Sequence, residues 1–266
     1  YDLHNHQWLT IPLLLKSIDA NYQTAHYGKW DLRGNVFPED LGYDESDGNT
    51  GNNNGDVMTD TKTKWSQVYI NKDPKRTFTI TARALNFMQR QVQSAHPFYL
   101  QVSYYAPHVD MEADKKTYDK FLKKPKGKIH DNAGWAAMLN DMDKGVGEIL
   151  DMVNKLGIAD NTYIFFMSDN GGVELFPPPS GIHKLDPPSA FDKTMINYPL
   201  RGGKWVVYEG GIRVPFIVKG PGIKPHSYCH VPVLGYDIFP TISDLAGNKK
   251  PLPDYLDGAS IKPLLE

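Results

Sequence analysis

The chain has 266 residues, 29 basic against 31 acidic, giving a net charge of −2. Hydrophobic residues make up 40% and charged residues 23%, an ordinary balance for a folded chain that buries roughly three quarters of its unfolded surface. The near-neutral charge excludes a nucleic-acid binder that relies on a basic face, and no apolar run approaches the ~18 residues of a membrane span. Cys229 is the one cysteine, so no internal disulfide or cysteine metal cage can form, and a small buried apolar role is expected for it. One large domain is the simplest organisation at this length.

In chain order, residues 11–20 (IPLLLKSIDA) read as a helix and Gln23–Tyr27 as a short strand. Residues 34–60, with Asp47 and Asn52–Asn54, form a Gly-, Asn- and Asp-rich loop with too little apolar content to pack. Helical spacing returns over about 78–93, where Ile80, Ala84, Leu85 and Met88 share a face, followed by the strand-like run PFYLQVSYY at 97–105. The clearest helix covers about 131–156. Its stripe of Trp135, Met138, Leu139, Met142, Val146, Ile149, Leu150, Val153 and Leu156 lies between Asp131 as N-cap and Gly157 as stop. TYIFFM (162–167) is a strand with little polar alternation, as suits strands covered on both faces. A Pro-rich loop at about 173–199, with His183 and Lys184, precedes a strand at Val214–Val218 and a helix near Asp237–Ala246. The alternation predicts an α/β fold with a mostly parallel sheet flanked by helices on both faces.

In open α/β sheets, ligands bind beyond the carboxyl ends of the strands. Gly28 and Lys29 follow the first strand, and Ala106, Pro107 and His108 follow the second. Ser168, Asp169, Asn170, Gly171 and Gly172 follow TYIFFM, and Lys204 sits between two glycine pairs in LRGGKWVVYEGGIRVP (200–215). Singly, each has an ordinary reading: a solvated lysine, a turn histidine, a strand-end turn, loop glycines. Together, at one predicted sheet edge, they suit one task. Asp and Asn oxygens fit Ca²⁺ or Mg²⁺, while two lysines and an imidazole fit a tetrahedral sulfate or phosphate group.

These segments resemble the sulfatase family. GKW at 28–30 is similar to its second motif, YYAPHVDM to its A-P-H loop, and TYIFFMSDNGG to its metal-binding segment. LRGGKWVVYEGGIRVPFIVKGPG (200–222) is similar to its lysine-bearing run, and LDGASIKPLL (256–265) to the segment closing its main domain. The resemblance implies an alkaline-phosphatase-like domain, partial over residues 1–266, that hydrolyses sulfate esters of a carbohydrate or aryl group. It implies a formylglycine made from a C/S-x-P-x-R motif, Asp169 and Asn170 as calcium ligands, and Lys29 and Lys204 on the sulfate oxygens. His108 would serve the leaving oxygen, since an imidazole with a pKa near ~6.5 can supply a proton at neutral pH.

No C/S-x-P-x-R occurs in these residues, and Cys229 sits in CHVPV, where it cannot be that nucleophile. The nucleophile, the remaining metal ligands and a C-terminal subdomain are therefore expected in further parts of the same polypeptide. Ca²⁺ takes ~6–8 oxygen ligands, so Asp169 and Asn170 alone would bind it weakly. Asp31 stands where the family usually has histidine; it could act as a base or repel sulfate. Two other readings are a sulfatase-like binding protein and a phosphodiesterase or phosphonate hydrolase, the last of which calls for a histidine-rich two-metal site. Periplasmic or secreted location is expected by family analogy alone. Trp205 could stack on a sugar ring or be buried, with burial expected, and Glu209 with Arg213 reads as a structural ion pair.

Overall fold

Residues 8–32, 35–51, 68–108, 110–127, 130–172 and 196–266 are described by the structure, a computed structural model. Helix α1 (Ile11–Ile18) starts at Thr10, whose hydroxyl oxygen accepts from the Leu13 N–H, with Pro12 in the first turn. Strand β1 (Gln23–Gly28) follows, then β2 (Glu45–Ser46), β3 (Val68–Ile70) and helix α2 (Thr77–Gln93). Strands β4 (Phe98–Ser103) and β5 (Met111–Ala113) precede helices α3 (Lys115–Leu122) and α4 (Ala133–Lys155). The chain continues through β6 (Ile164–Met167), α5 (Glu209–Ile212), β7 (Phe216–Lys219), α6 (Ile238–Leu245) and α7 (Lys262–Leu265).

The main sheet is parallel in the order β2-β1-β4, with β1 and β4 in register from Gln23 opposite Phe98 to Gly28 opposite Ser103. Parallel neighbours need a crossover, which α2 supplies. Its Ile80, Ala84 and Phe87 bury against Ala25 and Tyr27 on one face of β1. On the other face, the His26 ring meets the edges of Trp30 and Tyr43, with centroids 4.9 and 5.7 Å apart. Strands β3 and β5 form a second parallel pair, and β6 and β7 an antiparallel one. The α/β class with parallel pairing is thus borne out.

Several details differ from the sequence reading. The long helix is capped by Asn132, whose side chain accepts from the Trp135 N–H, not by Asp131. Its buried face runs through Gly134, Ala137, Met138, Asp141, Gly145 and Val153, while Leu139 is exposed. Gly145 is small because Thr81 of α2 and Tyr104 lie against it, and Gly134 because Val68 of β3 and Met111 of β5 do. Residues 35–51 are not an unpacked loop, since Val36 and Tyr43 are buried and β2 joins the sheet. Strand β6 is not covered on both faces among the described residues: Phe166 and Met167 are 36% and 41% exposed. Cys229 is exposed, and so is Trp205. Asn52–Asn54, His183 and Lys184 lie outside the described residues.

Gly145 and Gly147 differ by two positions on α4 and predict opposite outcomes. A β-carbon at Gly145 would meet the Thr81 and Tyr104 hydroxyl oxygens at 2.6 and 2.8 Å, and those hydroxyls are themselves hydrogen-bonded at 2.7 Å. At Gly147 nothing lies within 4 Å. Gly145→Ala is expected to destabilise by about 1–3 kcal/mol and Gly147→Ala to stabilise by about 0.5–1 kcal/mol in urea unfolding.

His26 gives a second prediction. Burial pushes its imidazole from 6.5 down to about 4, outweighing the attraction of Asp47 and Glu39 for the charged form. The unfolded chain therefore binds this proton more readily, so the contribution is complete above about pH 6.5 and is lost as pH falls toward 4. Between pH 7 and pH 5 the loss amounts to about 2 kcal/mol. His26→Gln should flatten that limb, and equal slopes in the two proteins would remove His26 as its source.

Candidate functional site

Lys29, Asp31, His108, Asp169 and Asn170 follow strand ends, and Lys204 lies in a loop well ahead of β7, each on a backbone fixed by its neighbours. Gly28 closes β1 at φ +102°, and a β-carbon there would sit 2.1 Å from the Ser103 carbonyl oxygen. That close approach lets the Lys29 N–H donate to the Ser103 carbonyl at 2.7 Å. Asp47 accepts from the Gly28 N–H at 2.8 Å and pairs with Arg83. Thr50 donates its hydroxyl to the Gly28 carbonyl at 2.6 Å and accepts from the Trp30 N–H at 3.0 Å. Its carbonyl accepts from the Asp31 N–H at 2.9 Å, and Asp31 takes the left-handed backbone at φ +52°. Asp47 and Thr50 thus set the turn that carries Lys29 and Asp31.

His108 lies beyond β4, with its N–H donating to the Tyr105 carbonyl at 2.9 Å. Beyond β6, the Ser168 hydroxyl donates to the Asn170 carbonyl at 2.8 Å, and Gly171 packs so closely on Gly210 that a β-carbon would lie 1.7 Å from its carbonyl oxygen. The glycine pair 210–211 opens α5 and leans on the 201–206 loop: β-carbons at Gly210 and Gly211 would lie 2.1 Å from the Gly202 oxygen and 2.0 Å from the Val206 oxygen. Lys204 is anchored by its N–H to the Gly172 carbonyl at 2.8 Å. Asn197 completes this clamp. Its amide nitrogen donates to the Gly172 and Gly202 carbonyls, and its amide oxygen accepts from the Gly172 N–H.

These anchors bring the predicted residues into three contacts, gathered in two groups that are each tied to the 169–172 turn. Lys204 Nζ lies 3.3 Å from His108 Nε2. Lys29 Nζ lies 3.7 Å from Asp31 Oδ2 and 3.9 Å from Asp169 Oδ2. Asn170 sits beside Asp169 with its carbonyl held by Ser168, leaving its side-chain amide outside that bond. Glu209 and Arg213 pair at 3.2 Å along α5, both solvent-exposed. Asn197 was missed from the sequence. An asparagine ahead of a Tyr-Pro pair reads as a turn former, and nothing local signals a three-way amide bridge.

The Asp169 carboxylate and Asn170 amide oxygen fit a hard cation such as Ca²⁺ in kind, but two donors are a minority of the ~6–8 it takes. Among the described residues, no group of three or more His, Cys, Asp and Glu side chains converges as a metal site. No helix of the described residues is long and apolar enough to cross a membrane.

The family model Sulfatase matches residues 4–248. The chain is 30% identical to N-acetylgalactosamine-6-sulfatase of Mus musculus over 274 residues, covering 96% of this chain and 48% of that protein. It is 33% identical to steryl-sulfatase of Homo sapiens over 189 residues, covering 70% of this chain and 29% of that protein. Among solved structures, Ps i-CgsB in complex with k-i-k-neocarrahexaose superposes with a TM-score of 0.70 at 29% identity, covering 95% of this chain and 56% of that one. The chain spans about half, or less, of these relatives' length. Its parallel α/β architecture is that of the sulfatases' alkaline-phosphatase-like fold, and the chain belongs to the sulfatase family.

Proposed function

We propose that this chain carries the sulfate-binding half of a sulfuric ester hydrolase active site. The observation that carries the reading is the 3.3 Å contact between Lys204 Nζ and His108 Nε2, made by residues 96 apart in the chain. An ammonium has no lone pair, so Lys204 donates in that contact, and both groups can turn to an incoming anion. In this reading Lys29 and Lys204 hold two sulfate oxygens, offsetting the charge that grows on them as the ester breaks. In the Lys204 contact His108 Nε2 is the unprotonated acceptor. Once Lys204 turns to the sulfate and Nε2 takes a proton from solvent, the imidazolium gives that proton to the oxygen that leaves, so the alcohol departs neutral. A formylglycine from another part of the polypeptide would supply the nucleophile, and calcium held partly by Asp169 and Asn170 would draw charge from the sulfate.

The substrate class is a sulfated carbohydrate or an aryl sulfate. Likeness to an N-acetylgalactosamine-6-sulfatase across 96% of the chain, and to a protein solved with a neocarrahexaose, supports the carbohydrate. Asp31 favours a second reading. A carboxylate 3.7 Å from Lys29 repels a sulfate, as suits a sulfatase-like binding protein that does not turn over.

The test is sulfate release by the complete protein from 4-nitrophenyl sulfate and galactose 6-sulfate with added Ca²⁺. Lys29→Ala, Lys204→Ala and His108→Ala are each expected to lower kcat/KM about 10²- to 10³-fold. Full activity in Lys204→Ala would overturn the assignment. Sulfate binding without turnover in the parent protein would establish the binding protein instead. In the same assay, unchanged turnover on Asp31→His would remove Asp31 from the mechanism, whereas faster turnover would identify its charge as a brake.

A further inference from the structure

Trp205 departs from two regularities. A tryptophan is among the largest apolar side chains, yet this one is 70% exposed. A bulky residue avoids positive φ, yet Trp205 sits at φ +78°. That backbone angle is imposed from both sides. The Lys204 N–H is tied to the Gly172 carbonyl at 2.8 Å, the Val206 N–H to the Gly203 carbonyl at 3.2 Å, and Gly211 packs against the Val206 oxygen. Burial of the indole offsets little of the strain, because the ring is mostly in solvent. A strained backbone that presents an exposed aromatic ring beside charged groups is an arrangement found where ligands are gripped.

The ring's position gives it a task. Lys204 Nζ lies 5.9 Å from the centre of the Trp205 ring and 3.3 Å from His108 Nε2. A sulfate oxygen bonded to Lys204 would lie about 2.8 Å from Nζ, which brings the ring bearing the ester within stacking reach of the indole. Tyr208, the other aromatic side chain of this loop, is covered by the Arg201 guanidinium at 3.8 Å. Trp205, with Lys204 farther off at 5.9 Å, is the more exposed of the two, at 70% against 45%.

We propose that Trp205 is a stacking platform for the sugar ring that bears the scissile sulfate, with its indole against the C–H face of a pyranose. This rests on the sulfate-binding reading of Lys29 and Lys204, and binding measurements separate the two. In the complete protein, calorimetry is run with inorganic sulfate, galactose 6-sulfate and 4-nitrophenyl sulfate on the parent, Trp205→Ala and Trp205→Phe. Trp205→Ala is expected to weaken galactose 6-sulfate by at least about tenfold while inorganic sulfate stays within about twofold, and Trp205→Phe to recover most of the loss. The exposed side chain should leave the melting temperature of either variant at the parent value.

Galactose 6-sulfate bound equally well by Trp205→Ala would overturn the platform and leave the sulfate site standing. Equal losses for inorganic sulfate and the sugar would make Trp205 a support for Lys204, which also overturns it. A loss confined to 4-nitrophenyl sulfate would assign the face to an aryl ring and overturn the carbohydrate. A parent protein that binds none of the three would remove the sulfate site and the platform together.

Discussion

At both ends of the candidate site a carbonyl oxygen occupies the place where a β-carbon would otherwise be. The Ser103 oxygen does this at Gly28, and the Gly210 oxygen at Gly171. Backbone packed directly on backbone leaves no rotamers to repack, so the turns bearing Lys29 and Asp169 are fixed more firmly than side-chain packing alone would fix them. Lysine itself is long and flexible. A lysine that must meet a small anion therefore benefits from a base that cannot shift, since the remaining uncertainty is then confined to its own four carbons.

The electrostatics match that reading. Lys29 stands 3.7 and 3.9 Å from two carboxylates, too far for good hydrogen bonds, and both partners are substantially exposed. Ion pairs of this kind are worth between about 0 and 1 kcal/mol. Lys29 is consequently restrained in direction without being satisfied, and an anion with two oxygens to offer competes easily with Asp31 and Asp169. A buried pair behaves differently. Glu112 is fully enclosed, with Lys75 Nζ at 3.8 Å and hydrogen bonds from Asn71 and the Lys75 N–H. That carboxylate is committed to structure, and the contrast separates residues that hold the fold from those that can hold a ligand.

Strand ends and the polar residues after them were legible in the sequence because they follow from local pattern: an apolar run, then Gly-Lys, Pro-His or Asp-Asn-Gly-Gly. The residues that position them were not. Asn197, Thr50 and Asp47 act through backbone groups 5 to 25 residues away, and composition carries no trace of such partners. The reading of Trp205 as buried failed for a related reason. Hydrophobicity predicts burial only where the backbone can turn the side chain inward, and a left-handed residue between two anchored neighbours cannot. The same limit applies to α4, where an apolar stripe was visible but the seam against α2 is set by how close two backbones can come, hence by Gly145.

The site is also divided between sheets. Lys29, Asp31 and His108 issue from the ends of β1 and β4, whereas Asp169 and Lys204 issue from the β6 side, and among the described residues no strand pairing joins the two. Both cross-links between these groups, Lys204 to His108 and Lys29 to Asp169, span that division. Neither contact is strong enough to hold two layers together, so their geometry reports how the layers are docked. Loosening the docking by an ångström would separate the two lysines from their partners while every helix and strand stayed formed. Affinity for an anion is then coupled to the packing between the sheets, and an anion bridging both lysines would tighten that packing in return, because a ligand that favours one arrangement stabilises it by the difference in its affinities.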